Sequence, residues 1–560
     1  MIRAICAGCS ANSWGLPQDA CRRSAKPSPV KIVQYGDAAA TISRPRNYQE
    51  SYMSARLSAL AGLGLVMSVS ACATSAAPAP QPPLAIAGEM DTYIEEGMDA
   101  VGIVPGLAVA IYTPDGVYLR SFGVTNIETG EPVTTDTAFY IASSTKSFTA
   151  MAMAILDDRG EIDLDQTLTE FAPDAPFPAE VRPDEVTLRS LLTHTSGIRN
   201  NPIVYRVAFT GQHTPEKTWE LLGRSQANEN APLGTFQYTN VGYNILTILT
   251  DRKLGVNWQD LLAEELFEPT GMEETTAYMS VAKAPGRSLA EPHFGGMEGG
   301  PVITPLEKID ATMQSAGGMV LSASDALRWL EFMVEGGVVD GERIAPEAVV
   351  VSTRVPLAEA NSEFDAYTRE SYGLGWYNST YKGQNLVHHF GGYAGFRAHI
   401  SYIPEEKIGV AVLMNEIPVA AGFPEAVANH VYDLMLDPET ADTDGKAAIA
   451  AAIERRDRII ASVTADRERR STREWQLTQP RSAYTGSYSN EDYGTADITI
   501  EGDDLRVTIG NLSSVAEPFT REDSIRVEMV PFSGDVIQFV MGADGVPTSF
   551  NYDGDVYTRQ

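Results

Sequence analysis

The sequence contains little cysteine, and the few cysteines stand close to the N-terminus. The chain has four cysteines in 560 residues and none after Cys72, so nearly all of it must fold without disulfides. Cys6 and Cys9 form a CxxC pair that could be half of a zinc site, but no second pair follows at a matching spacing. The seven histidines form no HExxH motif, and no Gly-x-Ser-x-Gly occurs. The sequence therefore predicts no metal and no cofactor.

Basic residues are also scarce. The chain has 42 Lys and Arg against 74 Asp and Glu, which gives a formal net charge of −32. Nucleic-acid binding depends on neutralising phosphates with Lys and Arg, so this composition argues against a nucleic-acid partner. It favours a soluble surface and says little about the fold.

Long apolar runs are lacking, apart from one at residues 57–70 that is too short to span a bilayer comfortably. Arg56 precedes the run, and Val69-Ser70-Ala71-Cys72 ends it and resembles the bacterial lipobox. We therefore expect a lipoprotein signal at 53–71, a start at Met53, and a lipid on Cys72 that anchors the protein to a membrane. A cleavable signal with a chance cysteine is the alternative.

The residue after the predicted lipid site gives an expected location. Ala73 stands there instead of Asp, which by resemblance to bacterial sorting rules points to the outer membrane. We expect a lipoprotein of the bacterial cell envelope that faces the periplasm. Residues 1–52 are then upstream of the true start and unstructured, and residues 72–84 form an Ala/Pro-rich tether.

The remaining pattern is α+β and lacks alternating βαβ units. A helix is predicted at 86–100, then a hairpin across Pro114-Asp115-Gly116, a mainly helical insertion, two strands at 399–403 and 408–414, and a closing helix at 423–436. These elements define a domain at 85–437. An acidic stretch at 438–446 is a plausible boundary before a helical linker at 438–475. Short alternating strands then predict a small all-β, barrel-like domain at 476–560.

Ser143 and Lys146 are the candidate nucleophile and general base. Their spacing puts both side chains on one face of a helix, so the amine can reach the hydroxyl. The lysine can accept the serine proton if burial or nearby positive charge lowers its pKa from about 10.4. The N-terminus of the helix favours the alkoxide that develops.

The Ser-x-x-Lys spacing by itself is not specific. It occurs at Ser28/Lys31, Ser143/Lys146, Ser280/Lys283 and Ser379/Lys382. The first pair precedes the expected start, the third runs into a Pro-Gly pair, and the fourth is expected in a polar loop. The second pair is followed by an amphipathic helical pattern that ends at a glycine. The chemistry needs this helix, because it holds the serine and the lysine on one face.

A second box, Tyr238-Thr239-Asn240, supplies another basic group. A phenolate next to a lysine can relay the serine proton to the leaving group, so Tyr238 is the expected proton relay and Asn240 completes the catalytic set. The flanking residues predict a turn that enters a helix. A similar triplet, Tyr488-Ser489-Asn490, lies in the C-terminal β region.

The third box is His389-Phe390-Gly391-Gly392, which leads into a predicted strand. His389 is a catalytic candidate, and Phe390 and Gly391 are substrate-binding candidates. The backbone N–H groups of Ser143 and Gly392 could form an oxyanion hole. A near-copy, His293-Phe294-Gly295-Gly296, is followed by no predicted strand.

Three boxes in this order resemble the serine β-lactamases and penicillin-binding proteins. The Tyr-x-Asn box is the class C form, so the chain looks most similar to class C β-lactamase-like hydrolases, including esterase and D-amino-acid peptidase members, over about residues 86–437. The resemblance implies an antiparallel sheet flanked by helices. Flanking stretches that resemble the family are Leu191–Gly197, Phe267–Met272, Ala316–Met319 and Tyr372–Trp376.

One departure bears on the substrate. By resemblance, the third box of β-lactamases reads Lys-Thr-Gly or Lys-Ser-Gly, and its lysine and hydroxyl hold the β-lactam carboxylate. Here His389 and Phe390 stand in those places, which favours an ester, amide or peptide substrate over efficient β-lactam turnover.

Two functions of other classes remain open. The first is a catalytically weak protein that binds penicillin or senses peptidoglycan. The second is an adhesion or assembly lipoprotein that uses the β-rich tail. Two further polar positions are expected to be structural: His194, as a loop contact, and Ser322, as a helix cap.

Overall fold

The computed structural model describes residues 81–560, except 298, 299 and 394. The predicted signal segment, Cys72, the Cys6–Cys9 pair and the Ser28/Lys31 pair lie outside the described residues. Within the described part of the chain, no helix is both long and apolar enough to cross a membrane. The predicted domain limits, the anchor and the location stay predictions.

The first domain is built on one antiparallel sheet. Its strands, with the short pairs around them, are β1 Gly106–Thr113, β2 Gly116–Asn126, β3 Glu131–Pro132, β4 Phe139–Tyr140, β5 Ile198–Arg199, β6 Gln226–Ala227, β7 His293–Met297, β8 Gly300–Ile303, β9 Val320–Leu321, β10 Val338–Val339, β11 Glu342–Arg343, β12 Ala358–Phe364, β13 Tyr367–Tyr372, β14 Tyr377–Tyr381, β15 Gln384–Tyr393, β16 Phe396–Ile403 and β17 Ile408–Met414. The main sheet has the order β12-β13-β14-β15-β16-β17-β1-β2-β3. The predicted hairpin and the two predicted strands are thus confirmed and lie side by side.

The helices lie before, within and after the sheet. They are α1 Ala87–Val101, α2 Thr145–Asp158, α3 Leu168–Phe171, α4 Leu188–Leu192, α5 Asn201–Tyr205, α6 Pro215–Leu221, α7 Val241–Leu254, α8 Trp258–Leu262, α9 Glu268–Thr270, α10 Met279–Ala282, α11 Ala323–Val334, α12 Glu347–Thr353, α13 Phe423–Leu436 and α14 Ala441–Ser471. Helices α2 to α12 form the helical insertion, and α13 is the predicted closing helix. The α+β class is confirmed.

Both faces of the sheet are buried, in agreement with its apolar central strands. Along β1, Leu107, Val109 and Ile111 pack into one hydrophobic cluster, whereas Ala108 and Ala110 pack into another. This alternation is the period-two pattern of a strand. The first cluster is covered by α1, α13 and α14, and the second contains α2 and the helical insertion. The sheet therefore separates a terminal-helix face from the face that carries Ser143.

The acidic stretch at 438–446 leads into a long helix, as the predicted helical linker requires. Helix α14 already begins at Ala441 and runs to Ser471, with Gly445 inside it. A Cβ at Gly445 would lie 2.7 Å from Nδ1 of His430, and the Tyr93 hydroxyl donates to the Gly445 carbonyl at 3.0 Å. The glycine thus allows close packing of the helix on the first domain.

The C-terminal strands form a second antiparallel sheet. They are β18 Gly486–Asn490, β19 Gly494–Glu501, β20 Asp504–Ile509, β21 Leu512–Val515, β22 Glu517–Pro518, β23 Ser524–Val527, β24 Asp535–Met541, β25 Pro547–Tyr552 and β26 Asp555–Arg559. The order β21-β20-β19-β18-β26-β25-β24-β23-β22 puts the consecutive strands β21 and β22 at the two edges, so the sheet is a nearly closed barrel. The barrel-like prediction is confirmed. Strands β25 and β26 are joined at Asp553-Gly554, where both residues have positive φ angles, as a tight hairpin turn requires.

The barrel contacts the helical insertion through polar groups. The Arg206 guanidinium donates to the carbonyl of Asp492 at 2.5 Å and to that of Glu491 at 3.0 Å. Gln212 exchanges two hydrogen bonds with the backbone of Thr495. Because these bonds run from one domain to main-chain groups of the other, they define how the barrel sits on the insertion.

Candidate active site

Ser143 stands at the start of the first long helix of the insertion. It lies in a 3-10 turn, Ala142–Ser144, that leads directly into α2. Ala142 has a φ of 45°, a left-handed conformation that costs a non-glycine residue roughly 1–2 kcal/mol. Such strain is often found at functional sites. Ser143 is partly exposed, whereas Lys146 is completely buried.

Two contacts hold this turn against the third sequence box. The Ser144 hydroxyl donates to the carbonyl of His389 at 3.0 Å. A Cβ at Gly391 would lie 1.8 Å from the carbonyl oxygen of Ile141, so only glycine permits this approach. The turn and β15 are therefore in direct backbone contact beside Ser143.

The Lys146 amine has three oxygen neighbours. Its Nζ atom lies 2.8 Å from Oδ1 of Asn240, 2.7 Å from the carbonyl of Ala316 and 3.3 Å from Oγ of Ser143. Burial holds the pKa of Lys146 well below its usual value. A neutral amine has two N–H donors and one lone pair. The Asn240 and Ala316 oxygens accept the two N–H groups, which leaves the lone pair for the Ser143 hydroxyl.

Tyr238 lies on the other side of the Ser143 hydroxyl. Its hydroxyl makes a hydrogen bond with Ser143, and its ring centroid is 4.8 Å from Nζ of Lys146. Burial raises the pKa of Tyr238 well above 10, while the bond to Ser143 and the charge of Arg369 act in the opposite direction. As predicted, Tyr238 stands in a turn that enters a helix, α7. The three residues of the first two boxes thus meet at one point.

His389 meets the same group from β15. Its Nδ1 atom is 3.0 Å from the carbonyl of Phe390, which makes Nδ1 the donor and leaves Nε2 as an acceptor. Nε2 is 3.5 Å from the Tyr238 hydroxyl. Burial, with a smaller contribution from Lys146, lowers the pKa of His389 well below 6.5. The imidazole is therefore neutral, and its Nε2 lone pair faces the Tyr238 hydroxyl.

The structure corrects the expectation for the Phe390 side chain. Phe390 belongs to the hydrophobic cluster on the terminal-helix face, where its ring lies 4.2 Å from that of His388 and 4.5 Å from that of His399. Successive residues of a strand point to opposite faces, so a ring next to His389 must point away from Ser143. Phe390 can offer substrate only its backbone.

Gly391 and Gly392 are neighbours on β15 but lie in different environments. Gly391 is buried beneath the turn that carries Ser143, so its smallness serves packing more directly than substrate binding. Gly392 follows it at a partly exposed position. The role of the Ser143 and Gly392 N–H groups as an oxyanion hole stays a prediction.

The other Ser-x-x-Lys pairs are engaged elsewhere. Ser280 donates to Asp310 at 2.6 Å, and Lys283 donates to Glu307 at 2.6 Å. Ser379 is on strand β14, not in the expected loop, and its hydroxyl lies 2.8 Å from Nε2 of His388. In the fourth pair the lysine, Lys382, forms ion pairs with acidic residues. Neither pair brings its serine and lysine together.

Two further sequence expectations have structural outcomes. The His293 box does lie on a strand, β7, and the His293 ring is buried between the Ile127 N–H and the Asn415 carbonyl. The prediction that no strand follows this box is wrong, because β8 begins at Gly300. His194 accepts a hydrogen bond from the Thr239 N–H at 3.3 Å, and its ring lies 4.5 Å from the Tyr238 ring at a tilt of 46°, which fits a loop contact.

Sequence reasoning missed one partner of Lys146, the carbonyl of Ala316. A backbone acceptor leaves no side-chain signal, although Ala316–Met319 does belong to the stretches that resemble the family. Within the described residues, no group of three or more His, Cys, Asp and Glu side chains could hold a metal ion.

The fold and the Ser–Lys–Tyr arrangement together define a β-lactamase/transpeptidase-type protein. The family model described as Beta-lactamase matches residues 90–430. The chain belongs to this family of serine hydrolases.

Relatives and solved structures agree with this family. Penicillin-binding protein 4 of Amycolatopsis lactamdurans is 27% identical over 56% of this chain and 81% of its own length. The D-aminopeptidase of Gluconobacter oxydans is 23% identical over 64% of this chain. The chain spans less than two thirds of the length of two curated relatives, 65% of that aminopeptidase and 62% of another. The octameric penicillin-binding protein homologue from Pyrococcus abyssi shares the fold, with a TM-score of 0.53 at 23% identity over 84% of this chain and 98% of its own.

Proposed function

We propose that this protein is a serine hydrolase that forms an acyl-enzyme on Ser143. The observation that carries the proposal is the environment of Lys146: two oxygen acceptors engage its N–H groups, and its Nζ atom lies 3.3 Å from the Ser143 hydroxyl. A buried neutral amine so placed is a general base for that hydroxyl.

The acylation step follows from these positions. Lys146 takes the proton of Ser143 as Oγ attacks the carbonyl carbon of an ester or amide. The carbonyl oxygen gains the negative charge, and the N–H groups of Ser143 and Gly392 are the proposed donors to it. As the C–O or C–N bond breaks, Tyr238 gives its hydroxyl proton to the leaving group and receives the serine proton from Lys146, so both groups return to their starting forms. Nε2 of His389 faces the same hydroxyl. Water then releases the acyl group.

The proposed substrates are esters, and amides or peptides that contain D-amino acids, more than β-lactams. A β-lactam carries a carboxylate, and the neutral, buried His389 offers no charge to hold it. One lost charge-assisted hydrogen bond, worth about 1.5–3 kcal/mol, corresponds to roughly ten- to a hundredfold in rate. The similarity to a D-aminopeptidase supports the same choice.

Labelling with a fluorophosphonate and a fluorescent penicillin, followed by peptide mass spectrometry, tests the acylated residue. We expect the adduct on the Ser143 peptide and its loss in Ser143→Ala. Ser280→Ala, the matched change in another Ser-x-x-Lys pair, should label as the wild type does. An adduct on the Ser280 or Ser379 peptide would refute the assignment.

Turnover of a small panel tests the substrate class: p-nitrophenyl butyrate, the p-nitroanilides of D- and L-alanine, and a chromogenic cephalosporin. We expect ester turnover, a preference for the D-anilide and little cephalosporin hydrolysis. Faster hydrolysis of the cephalosporin than of the ester would show that the substrate assignment is wrong.

A second candidate is a catalytically weak lipoprotein that binds penicillin or senses peptidoglycan, which the similarity to penicillin-binding protein 4 favours. In that case the penicillin adduct on Ser143 would be long-lived, and no member of the substrate panel would turn over. Deleting residues 476–560, the barrel without α14, tests the remaining proposal, adhesion through the barrel, because binding to cells would then be lost while labelling of Ser143 remains.

We also propose that Cys72 carries a lipid that anchors the protein in the bacterial envelope, facing the periplasm and in the outer membrane. The apolar run and the Val-Ser-Ala-Cys end of the signal support this proposal. Cys72→Ser should release the protein from the membrane fraction into the periplasmic fraction. Membrane association at the wild-type level would mean that any anchor lies elsewhere.

A further inference from the structure

Two buried arginines near β15 differ in their counter-charges. Arg397 is 5% exposed and forms an ion pair with Glu425. Arg369 of β13 is 8% exposed, and among the described residues no ion pair involves it and its Nε atom has no hydrogen-bond partner. A guanidinium stays protonated in proteins, so Arg369 is a buried cation without a carboxylate in the described structure. Burying a charge without a counter-charge costs free energy, so we expect a function that offsets this cost.

Arg369 is held by aromatic rings. Its Cζ atom lies 3.9 Å from the ring centroid of Phe364 and 4.1 Å from that of Tyr377. These are cation–π contacts, which attract a desolvated guanidinium to the face of a ring. Phe364 ends β12 and Tyr377 begins β14, so the cation is fixed between two strands that flank its own.

The Tyr377 ring connects this cation to the candidate active site. It stacks on the Tyr238 ring at 6.1 Å with an angle of 21° between the planes, and it lies 6.0 Å from the His389 ring. The path from Arg369 through the Tyr377 ring thus limits its distance from both ring centres to about 10 Å. At an effective dielectric constant of about 20, a charge at about 10 Å changes a pKa by roughly one unit.

The other groups that face Tyr238 and His389 provide no fixed charge. Lys146 comes from α2, His194 from the loop after α4, Tyr243 from α7 and Tyr372 from β13. None of these is a carboxylate, and burial holds the Lys146 amine and the His194 ring towards their neutral forms. Arg397 is a further cation on the His389 side, but Glu425 neutralises it.

We propose that Arg369 is a positioning residue that supplies, from β13 and through the Tyr377 ring, the positive charge beside Tyr238 and His389 that the third sequence box lacks. This inference rests on the proposed function, because it gives the charge a task in that reaction. The charge stabilises the deprotonated form of Tyr238, so its hydroxyl becomes a better proton donor to the leaving group, and the charge also opposes protonation of His389.

The test measures the pKa of His389 by NMR in protein labelled at histidine Cε1, with the signal assigned by its loss in His389→Gln. In Arg369→Met we expect the pKa of His389 to rise by roughly one unit, since a cation no longer opposes its protonation. Arg369→Lys keeps the charge and should restore most of the difference. Arg481→Met removes a guanidinium that stacks on Trp475 in the C-terminal region and should change nothing.

The pH profile of kcat/KM for p-nitrophenyl butyrate is the second measurement. Arg369→Met should lower kcat by up to about tenfold, because the pKa of the Tyr238 proton donor rises by roughly one unit. KM should be unchanged, because the ester carries no charge for Arg369 to hold. Arg369→Gln repeats the test with a polar neutral side chain in case the methionine variant does not fold.

The outcomes separate charge from packing. An unchanged pKa of His389 in both neutral variants, or equal shifts in the lysine and methionine variants, would overturn the inference. Because the titration needs no turnover, it is independent of the proposed function. Failure of Ser143 to label in the wild type would overturn that function whatever the titration shows.

Discussion

Ser144 donates its hydroxyl to the carbonyl of His389 at 3.0 Å, and this bond joins the first sequence box to the third. The two residues are 245 positions apart in the chain. Gly391, two residues beyond His389, permits the same approach because its missing side chain leaves room for the Ile141 carbonyl. The candidate nucleophile therefore lies against β15 through backbone contacts that any larger residue at 391 would break.

Gly391→Ala tests this contact. The added Cβ would lie 1.8 Å from the Ile141 carbonyl oxygen, so the turn must move away from β15. We expect a loss of Ser143 labelling and a destabilisation of about 1–3 kcal/mol or more, as for overpacked cores. Gly422→Ala, where a Cβ meets nothing within 4 Å, is the control. Ser143 labelling measures the first effect and a urea titration measures the second. Equal labelling and equal unfolding midpoints of the two variants would contradict the prediction.

Asn240→Asp tests the state of Lys146. A carboxylate 2.8 Å from Nζ stabilises the ammonium form, so the pKa of Lys146 should rise by roughly one to three units. Because the neutral amine is the base, the acid limb of kcat/KM should move to higher pH, with activity lost near neutrality and recovered in base. Asn240→Ala removes the acceptor without adding charge and should lower the rate with a smaller shift of the limb. A limb that stays in place in Asn240→Asp would show that Lys146 is not the titrating base.

Phe390→Thr tests the side-chain direction in the third box. The Phe390 ring packs among His388, His399 and Phe364 on the face away from Ser143. A threonine there opens a cavity, and truncating a buried phenylalanine typically costs about 3–5 kcal/mol. We expect a lower unfolding midpoint and no gain in cephalosporin turnover. A clear gain would mean that residue 390 faces the substrate after all.

Arg206→Ala tests how the barrel is held on the insertion. The guanidinium donates to two barrel carbonyls, at Asp492 and Glu491, and each lost charge-assisted bond is worth about 1.5–3 kcal/mol. We expect the variant to be cut earlier than the wild type in limited proteolysis between the domains. Arg224→Ala removes exposed ion pairs to the same loop, worth about 0–1 kcal/mol, and should resemble the wild type. Equal proteolysis of the two variants would refute the role of Arg206.

The local elements and the three boxes could be predicted from the sequence. The hairpin at Gly116, the closing helix at Phe423–Leu436 and the helix that follows Ser143 are local, because turn residues and apolar periodicity specify them without distant partners. Ser143, Lys146 and Tyr238 could be selected from four Ser-x-x-Lys pairs and two Tyr-x-Asn triplets for the same reason. Only their flanking residues predicted the helix starts that the chemistry needs.

The tertiary structure decided what depends on partners far along the chain. It turned the Phe390 ring away from Ser143, because the pleat of β15 puts neighbours on opposite faces. It brought the backbone carbonyl of Ala316 to Lys146, and a backbone acceptor cannot be identified from side chains in the sequence. It also brought Arg369 and Tyr377 beside Tyr238, since strand order in the sheet, and not spacing in the chain, sets which side chains meet.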